Sequence, residues 1–133
     1  MSEPRSFEYA IVRVVPRVER GECLNAGVVL WCRSLGWLRA AIELDHERLL
    51  AFAPNADLAT IEAHLESLVR VASGGDDSGP IGRMDPGERF RWLVAPRSTV
   101  IQVSDVHEGL CEDPAQALEH LLEALVRSPE TRG

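Results

Sequence analysis

The chain is expected to adopt an α+β fold: an antiparallel sheet of about four strands with helices packed on one face. Three observations predict it. Strand-like runs crowd into the first third, joined by connections too short for parallel crossovers. Helical periodicity takes over beyond residue 44. Strand and helix never alternate regularly, which argues against a doubly wound parallel sheet. The 133 residues show no internal repeat or convincing linker, so residues 1–133 are expected to form one domain.

Residues 7–16 alternate as a strand, with Tyr9, Ile11, Arg13 and Val15 on one face and Ala10, Val12 and Val14 on the other. Residues 17–22, Arg-Val-Glu-Arg-Gly-Glu, supply turn chemistry around Gly21. Residues 23–33 form a second strand. Its even face (Leu24, Ala26, Val28, Leu30, Cys32) is wholly apolar, while its odd face mixes Cys23, Asn25 and Gly27 with Val29 and Trp31. After a turn at 34–36, residues 37–44 alternate cleanly as a third strand, completing a meander.

Residues 45–53 suit a short helix closed by Pro54. Asp57 suits an N-cap, and Leu58, Ile61, Leu65, Leu68, Val69 and Ala72 follow at helical spacing. Residues 73–80 are a polar, Gly-rich loop, the stretch most expected to be disordered. Residues 86–94 fit a helix or a strand, and the helix is preferred, ended by Pro96. Thr99–Val103 is β-branched and suits a fourth strand. His107 and Gly109 read as a tight turn after it. Asp113-Pro-Ala-Gln116 opens a last helix, with Asp at N-cap and Pro at N1. Its stripe runs through Leu118, Leu121, Leu122 and Leu125, and the tail after Ser128 should fray.

The formal net charge of −7 argues against sequence-blind nucleic-acid binding. The charge is uneven: residues 13–42 carry +3 and 87–103 carry +2, against −6 over 43–86 and −5 over 104–133. Every basic residue is an arginine, so no lysine nucleophile or Schiff base is available. Three cysteines without a CxxC spacing fit a reducing compartment and read as small buried hydrophobes. No apolar run approaches the roughly 20 residues of a membrane span. The first residues lack the apolar core of a secretory signal. A cytoplasmic location is expected.

The two basic stretches hold the candidate site. Arg13 and Asn25 lie on the mixed faces of neighbouring strands, and Gly27 leaves room for close approach to the backbone. An arginine fork and an amide suit an anion or a carbonyl. The bland alternative is that Asn25 caps a bulge and Gly27 allows a helix to pack closely. Arg20 and Glu22 would rim the same site from the turn, or simply pair at a solvated tip. Arg97, Ser98 and Thr99 could hold a phosphate or carboxylate, or satisfy local backbone groups. His107 leaves a general acid/base role open. The histidines show no metal-binding spacing, so neither a metal nor another cofactor is expected. Convergence of the two basic stretches over one hollow is the central expectation.

Tyr9-Ala-Ile-Val-Arg-Val-Val-Pro16, Arg20-Gly-Glu22, Asn25-Ala-Gly-Val-Val29 and Phe90-Arg-Trp-Leu-Val-Ala-Pro-Arg-Ser-Thr99 together resemble an uncharacterised bacterial family, the domain of unknown function numbered three thousand and thirty-seven. The matching positions are Arg13, Arg20, Gly21, Glu22, Asn25, Gly27, Pro96, Arg97 and Ser98. The resemblance implies no catalytic role for any of them. It does imply a context, because such proteins are often encoded beside HipA-like kinases, a serine/threonine kinase fold known from toxin–antitoxin modules. Two readings therefore stand. One is an accessory protein, partner or regulator of a HipA-like kinase. The other is an enzyme or sensor that binds an anionic small molecule such as a nucleotide.

Overall fold

A computed structural model describes residues 3–75, 79–97 and 99–127. Among them five strands form one antiparallel sheet: β1 (Arg5–Val14), β2 (Leu24–Cys32), β3 (Trp37–Ile42), β4 (Ile101–Val103) and β5 (His107–Cys111). The strand order is β3-β2-β1, and β4 and β5 share the far edge of β1. The helices are α1 (His46–Phe52), α2 (Leu58–Ser73), α3 (Gly79–Gly82), α4 (Pro86–Leu93) and α5 (Pro114–Leu125), with a 3-10 turn at Arg33–Leu35. The α+β class is as expected, and residues 86–94 resolve as the helix preferred above. Residues 76–78 and the tail from Ser128 lie outside the described residues.

The helices divide between two faces. Leu49 of α1, Ile61, Leu65 and Leu68 of α2, and Phe90 and Leu93 of α4 pack on Ala10, Val12, Val14, Val29 and Trp31. Leu118 and Leu122 of α5, with Val126, cover the opposite face against Phe7, Val28, Leu30 and Cys32. One face was expected to carry all the helices; α5 covers the second because β2 is apolar on both sides. Val28, Val29, Leu30 and Cys32 are all fully buried, as befits a central strand.

A bulge explains why the faces of β2 were misread. Val12 opposes Gly27, but Arg13 opposes Asn25, so Ala26 is an extra residue in β2. The alternation shifts by one there. Leu24 and Ala26 join the α2 side together with Val29 and Trp31, while Val28, Leu30 and Cys32 turn to α5. The even face is thus shared between two cores.

Residues 107–111 form β5 rather than the turn predicted around His107. A glycine in mid-strand reads as a breaker, yet Gly109 sits opposite Phe7, whose ring fills the missing side-chain space. A Cβ on Gly109 would stand 2.5 Å from Phe7 Cζ. This is aromatic cover of a strand glycine.

Between β4 and β5 the ladder along β1 would lapse at Ile11. Ser104 bridges the gap. Its N–H donates to the Ile11 carbonyl (2.9 Å), and its Oγ accepts from the Ile11 N–H (2.8 Å) and donates to the Asp105 carbonyl (2.9 Å). Ser104 is buried, and its N–H and hydroxyl are both satisfied.

Candidate functional site

The turn between β1 and β2 is built around one carbonyl. Arg17 O accepts from the N–H groups of Arg20 (3.1 Å) and Gly21 (3.2 Å). Gly21 takes φ +74°, a left-handed conformation that costs glycine nothing. The turn thereby projects Arg17, Arg20 and Glu22 toward the link between α1 and α2. That link, Ala53 to Ala56, closes on itself through the Ala56 N–H and the Ala53 carbonyl (3.0 Å). Between the two lies a cavity of about 420 Å³, lined by Pro16, Arg17, Arg20, Glu22, Phe52 and Asn55 among others.

The cavity combines two guanidinium groups, an amide and an exposed ring. Arg20 Nε donates to Glu22 Oε1, and that hydrogen bond raises the guanidinium's pKa. Arg17 is exposed and has no carboxylate partner among the described residues. Phe52 is 38% exposed, so one ring surface is available to a ligand. The first turn of α2 adjoins the cavity, but Asp57 already caps it, accepting from the Thr60 N–H and Oγ1. Positive charge here therefore comes from the arginines, not from free helix amides. Paired guanidiniums beside an amide suit an anion with several oxygen acceptors.

The other residues singled out from the sequence lie elsewhere. Arg13 and Asn25 share a face, as expected, being directly opposed in the ladder. Asn25, however, is spoken for: its Nδ2 donates to the Leu125 carbonyl (2.9 Å), satisfying the C-terminal end of α5. Arg13 is half-buried, with Nε buried and without a hydrogen-bond partner among the described residues. Gly27 offers no room to a ligand. A Cβ there would come within 2.5 Å of Ile42 Cδ1 and still closer to the Ala41 carbonyl oxygen, so it is glycine because β3 crosses tightly.

Arg97 terminates α4. Its guanidinium donates to the Leu93 (3.0 Å) and Trp92 (2.7 Å) carbonyls and stacks 4.6 Å above the Trp92 ring centre. Burial lowers its pKa from the ordinary arginine value. Thr99 Oγ1 donates to the Ile101 carbonyl (2.7 Å), the local satisfaction weighed above, and Ser98 lies outside the described residues. Arg97 and Thr99 border a smaller cavity, about 230 Å³, with His64 and Ser67. Arg20 and Arg97 thus line different cavities that share no residue. His107 is exposed on β5, its ring 5.3 Å from that of Tyr9. Among the cysteines, Cys32 is buried, but Cys23 is exposed, against the reading of all three as core residues.

Three residues of the larger cavity escaped the sequence reading. Arg17 was absorbed into a solvated mixed-charge turn, and Phe52 and Asn55 carried no signal, since only the fold brings positions 52–55 against 17–22.

The fold and cavity together define a small α+β protein with an arginine-lined hollow at one end of its sheet. The chain belongs to the family described as protein of unknown function (DUF3037), whose model matches residues 9–126. No curated protein and no solved structure matches it. No helix among the described residues is long and apolar enough to cross a membrane.

Proposed function

We propose that this protein is an accessory protein that senses a small anion, held between the β1–β2 turn and the α1–α2 link. The observation that carries this reading is Arg17, without a carboxylate partner among the described residues, beside Arg20 in a 420 Å³ cavity. The ligand class is a phosphorylated or carboxylated small molecule. A nucleotide fits best, its phosphates on Arg17 and Arg20, its base on Phe52 and its polar edge near the Asn55 amide. Glu22 holds Arg20 in place and sets a threshold, because an incoming anion must compete with it or lie alongside it.

Thermal denaturation with and without nucleoside mono-, di- and triphosphates and pyrophosphate tests the reading. A ligand at ten times its Kd stabilises by about 1.4 kcal/mol, which raises Tm by roughly 5 °C for a chain of this length. Arg17→Gln and Arg20→Gln should each abolish the rise. No rise with any of these anions at millimolar concentration, or an undiminished rise in both variants, overturns the reading.

The accessory role toward a HipA-like kinase rests on the family resemblance. Its direct test is co-purification of the full chain with a HipA-like kinase, at micromolar concentration, with and without the stabilising anion. Independent migration of the two proteins under both conditions removes the kinase from the proposal and leaves the anion site standing.

A further inference from the structure

The outer edge of the sheet is β3, which pairs with β2 on one side and with no other strand among the described residues. Successive residues of an antiparallel strand aim their backbone groups alternately to either side. The Glu43 N–H donates inward to the Ala26 carbonyl (2.8 Å), so Leu38, Ala40 and Ile42 turn their N–H and C=O groups outward. Arg39 covers the first of these: its Nη1 donates back to the Leu38 carbonyl (2.7 Å). Ala40 and Ile42 have no such cover among the described residues. Open edges are ordinarily blunted by a proline, a bulge or inward charge, and the stretch Ala40-Ala41-Ile42 has none of these.

Beside this stretch a groove of about 490 Å³ runs between β3 and α2, floored by Ile42, Leu44, Leu65 and Val69. Its rim is acidic. Glu62 is engaged by His46 Nε2 (2.7 Å), whereas Glu66, one helical turn on, is exposed with no partner among the described residues. Arg70, at the groove's end, is already engaged. Glu62 and Glu66 outnumber the groove's single arginine, Arg70.

We propose that the open Ala40–Ile42 edge and the adjoining groove receive an extended segment of a partner protein as a sixth strand, an apolar side chain entering the groove and a basic one meeting Glu66. Main-chain bonding supplies affinity in this mode and the pocket supplies selectivity. Charge decides the occupant. A second copy would set two acidic α2 rims side by side in a chain of net charge −7, whereas a basic strand gains from them. The surface shares no residue with the anion cavity, so failure of either idea leaves the other intact.

The test uses the full chain and synthetic peptides of about eight residues, near a normal strand length. One alternates valine with arginine and one valine with glutamate. Two further valine–arginine peptides are N-methylated on one or the other set of alternate amides. Backbone NMR titration at physiological salt should shift Leu38–Leu44 and the Leu65–Val69 face of α2. The arginine peptide should bind about tenfold more tightly than the glutamate peptide, and one N-methylated peptide, but not both, should lose roughly tenfold or more. Glu66→Lys should erase the charge preference without altering the fold. The proposal is overturned by unshifted β3 amides at millimolar peptide, by equal binding of both N-methylated peptides, or by a dimer that protects Ala40 and Ile42 without peptide.

Discussion

Asn25→Ala should loosen α5 from the sheet. The Asn25 amide reaches across 100 positions of sequence to the Leu125 carbonyl at 2.9 Å, in a half-buried setting. A neutral hydrogen bond of this kind contributes about 1 kcal/mol, and leaving its acceptor unmet adds to the loss, for a total of roughly 1–2 kcal/mol. For 133 residues that lowers Tm by about 4–7 °C. Urea unfolding gives the stability, and amide exchange over residues 118–127 shows whether the loss is concentrated in the last turns of α5. Asn25→Asp sharpens the test. An ionised carboxylate would face the negative end of a helix, so its folded pKa must rise above the ordinary value of about 3.9. A raised folded pKa means that the protonated form, which can still donate to Leu125, is favoured at low pH. The stability of Asn25→Asp relative to Asn25→Ala is therefore fully present below the unfolded pKa and lost as pH rises through the folded one. A stability of Asn25→Ala within about 0.5 kcal/mol of the parent, with no pH-dependent gap between the two variants, refutes the reasoning.

Three further outcomes follow from the geometry. Ser104→Ala strands the Ile11 N–H at the junction of β4 and β5, and should lose about 1–3 kcal/mol in urea unfolding, whereas Ser104→Thr keeps the acceptor and should lose less. Gly27→Ala drives a methyl group into Ala41 and Ile42; calorimetry should show a loss of about 1–3 kcal/mol, with exchange protection falling first along β3. Arg127 joins β3's end to α5 through Glu43 (2.6 Å) and also meets Glu119 and Glu123. Its hydrogen bond holds the Glu43 pKa below the ordinary value. That contribution is present above the unfolded Glu pKa and lost as pH falls through the folded one, so an acid titration of stability should flatten in Arg127→Met and in high salt.

Local chemistry made much of the fold legible. Asp57 and Asp113, read as N-caps from the sequence, accept from the Thr60 and Ala115 N–H groups, and Asp45 and Asp85, not read as caps, do the same for the Arg48 and Glu88 N–H groups. The Asp113-Pro114 start and the meander from β1 to β3 needed no tertiary knowledge. What failed needed a partner distant in sequence. The bulge at Ala26 was raised only as an alternative at Asn25, and it reversed the faces of β2. Gly109 looked like a turn because Phe7, which fills its space, lies about a hundred residues away. The candidate site failed for the same reason. Arg20 and Glu22 were recognised as a rim, but the wall they face comes from Phe52 to Asn55. Asn25 and Gly27 stood out rightly as unusual strand residues, yet geometry assigns them to α5 capping and to the tight β2–β3 crossing.

The family's Arg-Gly-Glu turn acquires a physical meaning here. Gly21 supplies the left-handed step, and Glu22 fixes the Arg20 fork. Arg17 supplies the turn's central carbonyl and a guanidinium without a carboxylate partner among the described residues. The turn is short, and its two arginines are matched in number by Glu19 and Glu22.

The most direct measurement is an NMR titration that follows the Nε–Hε signals of Arg17 and Arg20 as pyrophosphate or a nucleoside diphosphate is added at physiological salt. The account predicts saturable shifts of both signals together with the Asn55 amide, and none at Arg97. Shifts at Arg97 alone, or linear drift of every arginine without saturation, would contradict it.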